Sequence, residues 1–236
     1  MLSKRALIAL ITIGCLRAFF PANVWAVSLT ELFQGQTITA DDKLFSHFAL
    51  VDVQSVNGGF ANLDLVDVTP LVDDPLNPGI KFTAPTNGLG TPTGHTGFSS
   101  VTVIFEFDVQ TTTNLPWIKD NSLLINDYLF DAHPDAFIQI TELVRDASGN
   151  SLGDKLAIVH NGDSLDDPDH FDSLEFTPQA LLHVRKTISI VGPLDNDGAR
   201  LLMFEQRFSQ VPEPGTWLSV GLAWLCLSAC RRRLGS

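Results

Sequence analysis

The sequence predicts an all-β protein, an antiparallel β-sandwich with jelly-roll-like connections, flanked by a targeting segment at each end. Three observations predict it. Apolar residues recur at every second position through much of the span from Leu32 to Phe208, which is the period of a half-buried strand. Gly, Asn, Asp and Pro clusters interrupt that alternation at short intervals, as turns between paired strands require. Helical periodicity is nearly absent between the two ends, and no internal repeat is visible.

The strands follow in order. Residues 44–53 (LFSHFALVDV) are apolar on both faces, which predicts a central strand. Residues 73–97 are rich in Pro, Gly, Asn and Thr and read as loops around a short strand at Ile80, Lys81 and Phe82. Residues 99–110 are the clearest strand: Val101, Val103, Phe105, Phe107 and Val109 face one way, and Thr102, Glu106, Asp108 and Gln110 the other. Further strands are expected at 128–130, 137–145, 155–160, 180–191 and 199–208. In the last two, Leu182, Val184, Ile188 and Ile190 share a face, as do Leu202, Phe204 and Phe208. Turn signals separate them at 148–150, 161–163 and 195–198, and residues 173–180 are expected to hold a short turn.

The ends carry targeting chemistry. Residues 1–26 read as a signal peptide: Lys4 and Arg5 precede an apolar stretch, and Ala26 offers a small residue before a cut ahead of Val27. Arg17 shortens the apolar stretch. A lipoprotein signal at Cys15 is disfavoured by Thr12, where Leu is usual. The body is then 27–210. Residues 211–236 hold three parts in strict order: Pro212, Glu213, Pro214 and Gly215; an apolar run over 217–230; and Arg231, Arg232 and Arg233. The prolines force an extended, exposed segment that a protease can bind. As a helix the apolar run spans roughly 21 Å, short of the ~30 Å hydrocarbon core, so a short transmembrane helix and transient inner-membrane anchor are expected. The arginines stop it on the cytoplasmic side, and the acidic body lies outside.

This tripartite tail resembles the PEP-CTERM sorting signal of Gram-negative exopolysaccharide producers. The resemblance implies export through the Sec translocon, removal of the leader by signal peptidase, and recognition by the membrane protease exosortase, which cuts the tail and releases the protein to the cell surface or exopolysaccharide matrix. It makes Pro212, Glu213 and Pro214, with Gly215, the sorting motif and Arg231 to Arg233 the membrane stop.

Between Val27 and Glu213 the chain carries nine basic against twenty-seven acidic residues, a net of −18. That charge disfavours nucleic acid as a direct partner, and none is expected. All three cysteines (Cys15, Cys226, Cys230) lie in the end segments, so the body folds without disulfides.

Candidate sites are few. Gly149-Asn150-Ser151-Leu152-Gly153 matches the pattern of a hydrolase nucleophile elbow, but the strand expected after it makes the pentapeptide a hairpin loop. The six histidines form no tight metal-ligand spacing. Asp163, Asp166, Asp167 and Asp169 crowd one loop with the hard oxygens that calcium takes, against the alternative of a solvated acidic loop. Trp117 is a possible stacking platform for a sugar, against the alternative of a cap on the core edge. No catalytic residue and no cofactor other than calcium are predicted. The expected function is that of an exported surface or matrix protein, structural or adhesive. The alternative is a carbohydrate-binding module, and a secreted hydrolase ranks below both.

Overall fold

The computed structural model describes residues 25–94, 97–112, 117–131, 135–164, 167–192 and 198–210. Two antiparallel sheets pack face to face. The first joins β1 (Val27–Ser28), β5 (Asp67–Leu71), β6 (Gly79–Thr83), β14 (Ala199–Gln210), β9 (Ile118–Phe130) and β12 (Phe171–Gln179), with β7 (Leu89–Gly90) and β4 (Phe60–Ala61) added beside β14. The second runs β11 (Ser151–His160), β10 (Phe137–Asp146), β13 (Leu181–Gly192), β8 (Ser99–Thr111), β3 (Lys43–Val56) and β2 (Ile38–Ala40). This is the predicted all-β, jelly-roll-like sandwich.

The period-two residues supply the core. Val101, Val103, Phe105, Phe107 and Val109 of β8 are all buried, as are Leu182, Val184, Ile188 and Ile190 of β13. Facing them from the other sheet are Leu123, Ile125, Phe204 and Phe208. Phe204 stacks on Phe82 at 4.3 Å between centroids, and Phe45 meets Phe208 edge-on at 5.6 Å.

Several expectations need correction. Among the described residues no helix is long and apolar enough to cross a membrane, so the transmembrane helix, and the inner-membrane-anchored stage built on it, find no support. The predicted run at 217–230 lies outside the described residues, with Pro212, Glu213, Pro214, Gly215, Arg231, Arg232 and Arg233 and nearly all of the predicted leader. Residues 44–53 are not a central strand. Beyond its short pairing with β2, β3 is a sheet edge, and Leu50, Val51, Val53 and Val56 are exposed. An apolar run on both faces is equally compatible with burial and with such an edge. Residues 173–180 form most of β12 rather than a turn, because Pro178 sits near the end of a strand that pairs on one side only. The strand expected at 128–130 is the end of β9, which begins ten residues earlier. Leu29–Phe33 is a helix, α1, with Ser28 and Glu31 forming a reciprocal capping box.

A polar layer interrupts the core. Glu142 (β10), Lys155 (β11) and Lys186 (β13) point inward from one sheet, and Asn121 (β9) and Gln206 (β14) point inward from the other. Glu142 stands directly opposite both Lys155 and Lys186 in register. Lys186 Nζ donates to Glu142 Oε2 and to Gln206 Oε1, and lies 5.6 Å from the centre of the Phe204 ring. Lys155 Nζ is 2.9 Å from Glu142 Oε1, and Asn121 Nδ2 donates to the same oxygen at 2.6 Å. Burial alone would raise the Glu142 carboxyl, but the two ammonium groups overcome it and hold it at about 2. Burial lowers Lys186 to about 8 against the pull of Glu142, and lowers Lys155 as well.

Candidate functional site

The outward faces of β12, β9 and β14 build one groove of about 590 Å³. Strand register sets its floor in rows. Phe171, Leu124 and Glu205 form one row; Ser173, Ser122 and Arg207 the next; Glu175, Asp120 and Ser209 the third. Each set alternates with inward residues of its strand, so the pleat that buries Leu123, Phe204 and Phe208 presents this row to solvent.

Local chemistry fixes the walls. Pro168–His170 is a 3-10 turn capped by Asp167, whose carboxylate accepts from Asp169 N at 3.0 Å. His170 is buried edge-on against Tyr128 at 5.5 Å, which delivers Phe171 to the groove with 48% of its surface exposed. At the other side Arg207 forks onto Asp73, with Nη1 to Oδ1 at 3.0 Å and Nη2 to Oδ2 at 3.1 Å, and also reaches Glu205 Oε2. Hydrogen bonding to Arg207 holds the Asp73 carboxyl below its ordinary range. This clamp ties the 73–77 loop down, so that Leu76 and Asn77 close the groove. Gly79 lies opposite Arg207 in β6, and a Cβ there would fall 2.0 Å from the Gln206 carbonyl oxygen. Gly79→Ala is therefore expected to cost roughly 1–3 kcal/mol in urea unfolding and to loosen the groove wall.

The arrangement offers hydroxyl groups (Ser122, Ser173, Ser209), carboxylate acceptors (Asp120, Glu175, Glu205) and donors (Lys119, Arg207, Gln210), beside the apolar surfaces of Phe171, Leu124 and Leu76. Four acidic and two basic side chains line it, counting Asp74. Such a floor suits an uncharged ligand that carries many hydroxyls and one apolar face.

The predicted site residues fall elsewhere. Trp117 is 45% exposed immediately before β9, but it does not line the groove. Asp163 Oδ2 accepts from His160 N at 2.6 Å and Asp167 serves as the turn cap, so local backbone occupies both carboxylates. Asp166 lies outside the described residues; among those described, no group of three or more side chains could hold a metal ion. Ser151 opens β11 across from Arg145, and Asp146 closes the loop before it by accepting from Ser148 N and Asn150 N. Gly149 and Asn150 thus lie in the expected hairpin loop, but Ser151, Leu152 and Gly153 already belong to β11, with no helix after them.

A smaller hollow of about 330 Å³ lies on the outer face of the second sheet. There Asp108 pairs with His183 Nδ1 at 2.5 Å and with His47 Nδ1 at 2.9 Å. His47 sits in a β-bulge at a φ of 53°. These partners are distant in sequence, and only the pairing of β3 and β13 with β8 brings them together.

No family model matches the chain, and no curated protein matches it in sequence. The likeness to PEP-CTERM proteins therefore gains nothing from these comparisons. Similar solved structures include a carbohydrate-binding module in complex with β-1,4-galactotriose, at 13% identity over 69% of this chain and 88% of that one, with a TM-score of 0.27. A second is a carbohydrate-binding module of promiscuous specificity, at 10% identity, 73% and 58% coverage and a TM-score of 0.26. A third is a module that recognises mannan, at 8% identity, 70% and 99% coverage and a TM-score of 0.27.

Proposed function

We propose that the body is a non-catalytic carbohydrate-binding domain that holds a neutral oligosaccharide in the groove across β12, β9 and β14. The supporting observation is the groove itself: an exposed Phe171 ring at one edge of a floor of serines, carboxylates and cationic donors. A sugar ring lays its C–H face on the aromatic ring and its hydroxyls on the paired acceptors and donors. The excess of carboxylates disfavours acidic glycans. Exosortase recognition of Pro212, Glu213 and Pro214 is a proposal that rests on the tail's resemblance alone.

Titration with a panel of neutral and acidic oligosaccharides tests this reading. A neutral glycan is expected to bind, and Phe171→Ala to weaken it about tenfold, ~1.4 kcal/mol. Trp117→Ala is expected to change affinity far less. No binding to any neutral glycan, or a loss on Trp117→Ala without one on Phe171→Ala, would overturn it.

A further inference from the structure

The polar layer between the sheets holds two lysines on one glutamate, and its partnering is lopsided. Lys186 is bound twice, to Glu142 Oε2 and to Gln206 Oε1. Among the described residues Lys155 Nζ pairs at close range with Glu142 Oε1 alone, at 2.9 Å and without a well-directed hydrogen bond. Asn121 Nδ2 is 2.6 Å from that same oxygen, while Asn121 Oδ1 is buried with no hydrogen-bond partner among the described residues. Lys155 and Glu142 side chains are wholly buried, and so is Asn121. With both lysines charged, two buried ammonium groups share one buried carboxylate, and Asp172 and Asp120 act on Lys155 only through space, an arrangement that costs stability.

We propose that Lys155 and Asn121 condense into an intramolecular isopeptide bond, with Glu142 carrying the proton between them. The carboxylate oxygen that touches both nitrogens takes a proton from the Lys155 ammonium, freeing its lone pair. Nζ attacks Asn121 Cγ, the Cγ–Nδ2 bond breaks, and Glu142 returns the proton to the departing nitrogen. The nitrogen leaves as ammonia, which takes up the remaining Lys155 proton as ammonium; no oxidant or cofactor is consumed. Lys186 is the positioning residue: its two partners keep it charged, and it holds Glu142 ionised. The product removes one of the two ammonium groups that share Glu142 and leaves a neutral Lys186–Glu142 pair. It also ties β9 of one sheet to β11 of the other in a body that has no cysteine. Burial lowers the Lys155 ammonium in the direction this step needs, and the low Glu142 carboxyl opposes it.

The test is peptide mapping by tandem mass spectrometry of the full chain, with circular dichroism to show that each sample is folded. The expected result is a branched peptide joining the segment with Asn121 to the segment with Lys155, lighter than the two together by one ammonia. In folded Glu142→Gln and Lys155→Arg the same segments are expected as separate linear peptides. Separate linear peptides from the folded, unsubstituted protein would overturn the proposal, and so would a branch through Lys186 or Gln206.

Discussion

In the chain without the Lys155–Asn121 bond, replacing Glu142 by Ala is expected to cost about 3–5 kcal/mol in unfolding free energy, because the buried Lys155 and Lys186 ammonium groups lose the carboxylate that pairs with both. The cost reflects stranded charge rather than a strong favourable pair. Replacing Glu142, Lys155 and Lys186 together by apolar residues of similar volume is therefore expected to recover most of the loss. Urea denaturation of the two variants checks this. A loss of ~1 kcal/mol or less for Glu142→Ala, as for an exposed ion pair, would contradict the burial described here.

The same cluster sets a pH dependence. The Glu142 carboxyl titrates at about 2 in the fold against 4.5 ordinarily, so the unfolded chain binds the proton first as pH falls. Stability present above pH 4.5 is lost progressively between pH 4.5 and about 2. Lys186 titrates at about 8 against 10.5, so the unfolded chain also holds more protons between those values. Stability from this group rises as pH climbs through that window. Thermal midpoints measured across both windows are expected to fall on the acid side and to gain on the alkaline side.

Phe105→Ala is the second large effect, at about 3–5 kcal/mol. Phe105 is fully buried and lies within ring contact of Phe33, Phe82 and Phe107, at 6.2, 5.8 and 6.2 Å. It links α1, the second sheet and the first, so truncation opens a cavity that several elements would have to move to fill. Chemical denaturation reads this directly. A loss near that of a surface substitution would contradict the packing.

Much of the sandwich was legible because alternation survives wherever a strand has one dry face. The inward sets of β8 and β13 were readable to the residue. The gap in the β13 set was also informative: Leu182, Val184, Ile188 and Ile190 leave Lys186 in phase with the core, and Glu142 stands in phase with Ile138 and Ile140. Such in-phase charges are the signal of a buried polar layer, but their partners come from other strands and are not written locally. β9 was hard to read because Asp120, Asn121, Asn126 and Asp127 are poor strand formers, held there by pairing with β14 and β12. The groove was hidden for a related reason. Phe171, Ser122 and Arg207 converge only through register, whereas Trp117 and the acidic loop attract notice by composition alone.

Footprinting of the full chain with and without a bound neutral oligosaccharide is the most direct measurement. Protection is expected at Phe171, Ser173, Ser122 and Arg207, with the second sheet unchanged. Protection centred instead on His47, Asp108 and His183, or spread along the exposed edge of β3, would contradict the assignment of the groove as the binding site.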